Sequence, residues 1–144
     1  MNLNFKDLWF DQWKWWIVRD RPSQDVDVPA DFGMFGIYVL ARFVSQPTEK
    51  NFDPYGMPKE VLYIGMSSHV DRRLERSHTA VRKYRKETGD DLCKKLWYVR
   101  AYSPWNNRSL KQISTATAHV AYYERALILS YVNKYGALPK YNRR

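Results

Sequence analysis

Several residues in this chain combine a reactive type with a placement that packing alone does not require. Glu124 falls inside an apolar stripe: Val120 precedes it by four, Leu127 follows by three and Ile128 by four. A carboxylate there loses hydration unless something pairs with it. A core arginine would make that a structural salt bridge; a metal ion or an acid/base role would make it functional. Arg73 lies one residue before Leu74 on a second apolar stripe. It either joins a solvated basic face or presents a guanidinium fork to an anion. That basic face comprises Arg72, Arg76, Arg82, Lys83, Arg85 and Lys86. Two tripeptides, Gly36-Ile37-Tyr38 and Tyr63-Ile64-Gly65, sit in two short apolar runs. The three histidines are His69, His78 and His119, the last read as a solvated helix residue.

These residues depend on a small set of elements. Phe5, Leu8, Trp9, Trp13, Trp16 and Ile17 recur at three- and four-residue spacing, which predicts a helix over 5–18. Residues 20–30, with Pro22 and Pro29, read as a linker. Phe35–Phe43 and Glu60–Met66 read as strands joined across a proline-rich loop and pairing antiparallel. Ser67 and Ser68 open a helix, Ser68 and Asp71 resembling a capping box, with Val70, Leu74, Ser77, Val81 and Tyr84 inward and Gly89 as its stop. Lys95–Tyr102 reads as a third strand, and a long helix over 114–135 ends at Gly136. The result is a small α/β (α+β) domain: a three-stranded, mainly antiparallel sheet flanked by helices, over 33–144. Residues 1–32 form a Trp-rich N-terminal helix and linker.

Composition bounds the function. The 144 residues carry 24 Lys and Arg against 15 Asp and Glu, a formal charge of +9, which suits nucleic acid or an anionic surface. Aromatic content of 16% supplies rings that stack on bases or fill a core. No apolar run approaches the roughly 20 residues of a membrane span, and no secretory signal opens the chain, so no membrane partner is expected. Cys93 is the one cysteine, which excludes an intrachain disulfide and points to a reducing, cytoplasmic setting. One Cys and three His make a closed zinc site improbable.

The two tripeptides carry a specific resemblance: the chain is similar to the GIY-YIG nucleases. Arg73 lies 10 residues past Tyr63, Glu124 stands on a later helix in Tyr-Tyr-Glu-Arg-Ala-Leu-Ile, and Asn142 ends Leu138-Pro139-Lys140-Tyr141-Asn142. These match the family's Arg, Glu and Asn in order, over nearly all of the chain after the first segment. Two departures stand out. The loop between the tripeptides is longer than the family's, which suggests a strand extension or a DNA-contacting flap. Some members carry a His one turn after the Arg; here that position is Ser77. His78 is the candidate substitute, pointing about 100° further round a continuous helix.

The resemblance implies a Mg²⁺-dependent DNA endonuclease, with Mn²⁺ as a substitute ion and RNA a lesser substrate. It implies one carboxylate ligand, Glu124, on a metal that keeps most of its waters. Arg73 would offset charge on the phosphate. Tyr38 would act as base and Tyr63 as orienter, a phenol of pKa ~10 needing a nearby cation for that task. Gly36 and Gly65 would allow close backbone packing, and Asn142 would brace the site. The basic helix, Arg100, Arg108 and the Arg143-Arg144 tail would grip DNA. A single site cuts one strand per encounter, so the protein would act as a monomer or a homodimer. Solitary nucleases of this size suit a phage, mobile-element or restriction role. The alternative is a catalytically inactive, basic nucleic-acid-binding module on the same fold.

Overall fold

The computed structural model describes residues 5–16, 35–68, 70, 78–104 and 110–143. Among the described residues, five strands and two helices of defined extent form an α+β unit: β1 (Trp9–Phe10), β2 (Lys14–Trp15), β3 (Gly36–Arg42), β4 (Val61–Ser67), α1 (Thr79–Thr88), β5 (Leu96–Tyr102) and α2 (Leu110–Tyr135). A 3-10 turn at Lys140–Asn142 closes the described chain. The sheet runs β1-β5-β3-β4, with β2 also on β5, and each of these pairings is antiparallel.

The central strands form where apolar and aromatic residues cluster. β3 lies between β4 and β5 and is buried along six of its seven residues, which explains why Gly-Ile-Tyr-Val-Leu-Ala reads as nearly continuous hydrophobicity. Side-chain alternation sorts it into two faces. Ile37, Val39 and Ala41 join Val99, Ala101 and Ile64 in one core, against the α2 stripe of Val120, Tyr123, Leu127 and Tyr131. Tyr38 and Leu40 join Tyr98 and Tyr102 in the other, against Ala80, Val81 and Tyr84 of α1 and Tyr141 of the 3-10 turn. Both helices stop where expected: Gly89 and Gly136 have φ of 68° and 77°, a left-handed conformation that glycine enters without a Cβ penalty. No helix among the described residues is long and apolar enough to cross a membrane.

The N-terminal segment departs from expectation. The helix predicted over 5–18 is absent across 5–15, where β1 and β2 extend the sheet along β5; Trp16 is helical, and residues 17 and 18 lie outside the described part. The three-stranded expectation therefore becomes five. Trp9 pairs with Tyr102 and Phe10 with Ala101, but Lys14 pairs with Tyr98 and Trp15 with Trp97. One extra residue has been inserted between the two ladders, a β-bulge. Gln12 turns aside there to bridge Asn51, while Trp13 N–H donates to the Lys50 carbonyl at 2.8 Å.

That contact fixes the long loop at 43–60. It adds that one bridge to the sheet and no strand extension. Met57 is fully buried, and Phe52 packs edge-on against Trp13 at 5.6 Å. The α2 hydroxyls of Tyr131 and Tyr135 donate to the Lys59 and Met57 carbonyls at 3.0 and 2.6 Å.

Candidate active site

The two tripeptides lie side by side. Tyr38 pairs with Gly65 across β3 and β4, and Gly36 pairs with Ser67. A Cβ at Gly65 would stand 2.5 Å from Cζ and Oη of Tyr38 and 2.7 Å from the Tyr63 ring. The absent side chain thus makes room for the Tyr38 phenol to lean over β4. At Gly36 an added Cβ would strike the Ala101 carbonyl and the Val70 side chain. Tyr63 stacks on Tyr38 with ring centroids 5.9 Å apart and planes 28° off parallel. Tyr38 is 1% exposed and Tyr63 is half-buried.

His78 completes this cluster by a route the sequence did not indicate. It is not within a continuous helix but caps α1, with φ −60° and ψ 133°. Its Nδ1 accepts the Ala80 N–H at 3.1 Å, and its Nε2 lies 2.9 Å from the Tyr38 hydroxyl. An Nδ1 that accepts carries no proton, so in the neutral ring the proton sits on Nε2 and is donated to Tyr38 Oη. The ring also meets Tyr38 and Tyr63 edge-on at 5.3 and 5.5 Å. The helix expected to open at Ser67 does not do so: β4 runs through Ser67, and of residues 69–77 Val70 alone is described, helical and buried.

Asn142 reaches the same strand. Its Oδ1 accepts the Ile64 N–H and its Nδ2 donates to the Ile64 carbonyl, both at 2.9 Å. The side-chain amide thereby pairs the outer edge of β4 as a neighbouring strand would, one residue from Tyr63. Tyr141 is buried beside it and donates to Glu87 at 3.0 Å, while Lys140 Nζ meets the same carboxylate at 2.7 Å.

Glu124 stands apart. It is half-buried on α2, which packs against β4 from the side opposite Tyr63. No hydrogen bond or ion pair joins it to the described part of the cluster. Burial pushes its carboxyl above the usual range, and the adjacent Arg125 pulls it back only in part. The structural alternative, a salt bridge, is thus not formed among the described residues, and a desolvated carboxylate of this kind fits one oxygen ligand of a hard cation. The described residues contain no group of three or more His, Cys, Asp and Glu able to hold a metal by themselves.

The expected cations divide three ways. Arg73, Arg72, Arg76 and Arg108 lie outside the described residues, as does His69. Arg82, Lys83 and Lys86 are exposed on α1, with Arg85 half-buried beside them. Arg100 corrects the expectation of a DNA contact. It is 3% exposed, 3.6 Å from Asp11 Oδ2, with its guanidinium over the rings of Tyr98 and Tyr102 at 5.3 and 5.9 Å. The sequence held the signal: β5 is buried on both faces, so its one charged residue faces inward. His119 is corrected too. It is 16% exposed, lies 3.7 Å from Asp7 Oδ2, and burial lowers its pKa against the opposing pull of Asp7.

In comparisons of sequence and of structure, the chain matches no family model, no curated protein and no solved structure.

Proposed function

We propose that the protein is a Mg²⁺-dependent DNA endonuclease of the GIY-YIG type. The observation that carries this reading is the joining of Tyr38, Tyr63 and His78 over Gly65. Two phenols and an imidazole share one spot beside a basic helix, although 25 residues separate the tyrosines in the chain and His78 comes later still. The residue chemistry suits phosphodiester hydrolysis. Tyr38, as the phenolate held by the Nε2–H of His78, takes the proton of the attacking water and becomes the neutral phenol as the hydroxide forms. Tyr63 orients the water through its hydroxyl. Arg73, from the segment that precedes α1, is assigned to the phosphate. Glu124 is the residue that would hold Mg²⁺, which when bound supplies positive charge to the phosphate oxygens. The exposed cations of α1 and the tail bind the nucleic acid backbone.

One observation favours each of two variants of this reading. Tyr63 is half-buried whereas Tyr38 is almost wholly covered, which favours the reversed assignment with Tyr63 as base. The packing of α2, which carries Glu124, on the sheet face opposite Tyr38 and Tyr63 favours an inactive nucleic-acid-binding module. Incubation of supercoiled plasmid with the purified protein, with and without Mg²⁺ or Mn²⁺, decides between the active and inactive readings. Metal-dependent nicking is expected. Tight binding with no cut in either metal would leave the inactive module.

A further inference from the structure

The cations of α1 are not equivalent. Arg82, Arg85 and Lys86 stand at i, i+3 and i+4 and therefore converge on one side of the helix. Together with Thr79, Lys83 and Asp91 they line an open cleft of about 520 Å³ between α1 and the turn that follows Gly89. Arg82, Lys83 and Lys86 are solvated, but Arg85 is half-buried, and its Nε is shielded from water with no hydrogen-bond partner. Arg85 is thus held in place at the cleft that it lines, and its planar fork suits a bidentate anion there. The opposite flank of the helix is taken: Glu87 there is neutralised by Lys140 and Tyr141 of the tail. The cleft side has one carboxylate, Asp91, against four cations.

We infer that this cleft is a discrete phosphate subsite, in which Arg85 takes a backbone phosphate of a bound duplex in a bidentate grip, away from the bond that is cut. The inference rests on the reading of the protein as a DNA nuclease and adds the register. Arg85 follows the His78 cap by seven residues, about 10 Å along the helix. The subsite therefore fixes the duplex at a set distance from the tyrosine cluster rather than merely attracting it.

The test compares fork with charge. Duplex affinity is measured in EDTA by fluorescence anisotropy over a range of NaCl, with thermal melts to verify folding. Lysine keeps the charge of Arg85 and removes the fork. Arg85→Lys should weaken binding about tenfold, while Arg82→Lys, in solvent, should stay within about twofold. Arg85→Gln should also reduce the slope of log affinity against log salt by about one. Equal affinities for Arg85→Lys and Arg82→Lys would reduce the cleft to a diffuse basic patch and overturn the inference. Should Arg85→Lys not fold, Asp91→Asn replaces it. Removing the one acid that lines the cleft should tighten binding severalfold, and no change there overturns the inference equally. Plasmid cleavage by the wild-type protein is scored separately. Binding with the Arg85 pattern but no cleavage keeps the subsite and removes the nuclease; cleavage without that pattern does the reverse; absence of duplex binding removes both.

Discussion

The two faces of the sheet are built from the same strands yet hold different chemistry. On the α2 face, Ile37, Val39, Ile64, Val99 and Ala101 present only hydrocarbon. On the α1 face, the alternate residues Tyr38, Tyr98, Arg100 and Tyr102 present hydroxyls and a guanidinium at similar depth, with the half-buried Tyr63 beside them. Hydrocarbon stabilises by burial alone, at ~25 cal/mol per Å². Buried polar groups cost free energy unless each finds a partner. The α1 face meets part of that demand through His78 on Tyr38 and Asp11 beside Arg100. The lesson is a contrast at one-residue resolution: neighbours along a strand present hydrocarbon or polar groups according to parity, Leu40 of β3 excepted.

Adjacent residues on β3 give the sharpest way to break this comparison. Tyr38→Phe keeps the ring and its packing but removes the oxygen that His78 and the attacking water would meet. Cleavage should fall by ~10³–10⁴ with the melting temperature nearly unchanged. Ile37→Ala, one residue earlier, should cost ~2–5 kcal/mol of stability while each folded molecule cuts at close to the normal rate. Tyr63→Phe should lose less activity, on the order of 10²–10³, as an orienting donor. A larger loss at Tyr63 than at Tyr38 reverses the two roles. If Ile37→Ala lowers the rate per folded molecule as much as Tyr38→Phe, the parity rule fails.

Glu124 tests whether the α2 face is purely structural. Its carboxyl is held above the usual range by burial, so the folded protein binds the proton more tightly than the unfolded chain does. The ionised form is therefore a cost, present in full above the raised folded pKa and absent once pH falls below the ordinary carboxylate value. Glu124→Gln cannot ionise. It should raise the melting temperature at neutral pH without metal, and that gain should fade as pH falls through this window. Cleavage should drop by roughly 10²–10³ while DNA still binds. A lower melting temperature at neutral pH would reveal a hidden salt bridge instead, and normal turnover would remove Glu124 from the site.

Much of this arrangement was legible in the sequence, and the failures have physical causes. The three long strands, both helix stops and the pairing of the two tripeptides follow from apolar runs and glycines whose neighbours leave little choice. The N-terminal segment misleads because a bulge imitates a helix. In a regular strand Trp9 and Trp13 would share a face; the inserted Gln12 resets the phase, leaving Phe10 and Trp13 on one face and Trp9 and Trp16 on the other. The resulting spacings of three and four are those of an amphipathic helix. Only a tertiary partner, Asn51, reveals the break. Arg100 was misread as a surface cation because its acid, Asp11, belongs to that same misread segment. Glu124 is half-buried on its stripe as the spacing suggests, but the face of the sheet that its helix covers is set by helix-on-sheet packing that no local spacing encodes.

His78 is the remaining case, and it separates positioning from packing within one side chain. Its Nδ1 serves the helix by accepting the Ala80 N–H, and its Nε2 serves Tyr38. Asparagine is a strong N-cap but ends too near the backbone to span to the Tyr38 hydroxyl. His78→Asn should therefore leave α1 and the melting temperature within roughly 0.5 kcal/mol of wild type. His78→Ala should lose about 1 kcal/mol more, the ordinary worth of a cap. Both should slow cleavage alike, by ~10–10², because both abandon Tyr38. A His78→Asn protein that cuts at the wild-type rate would confine His78 to capping and leave Tyr38 to act without it.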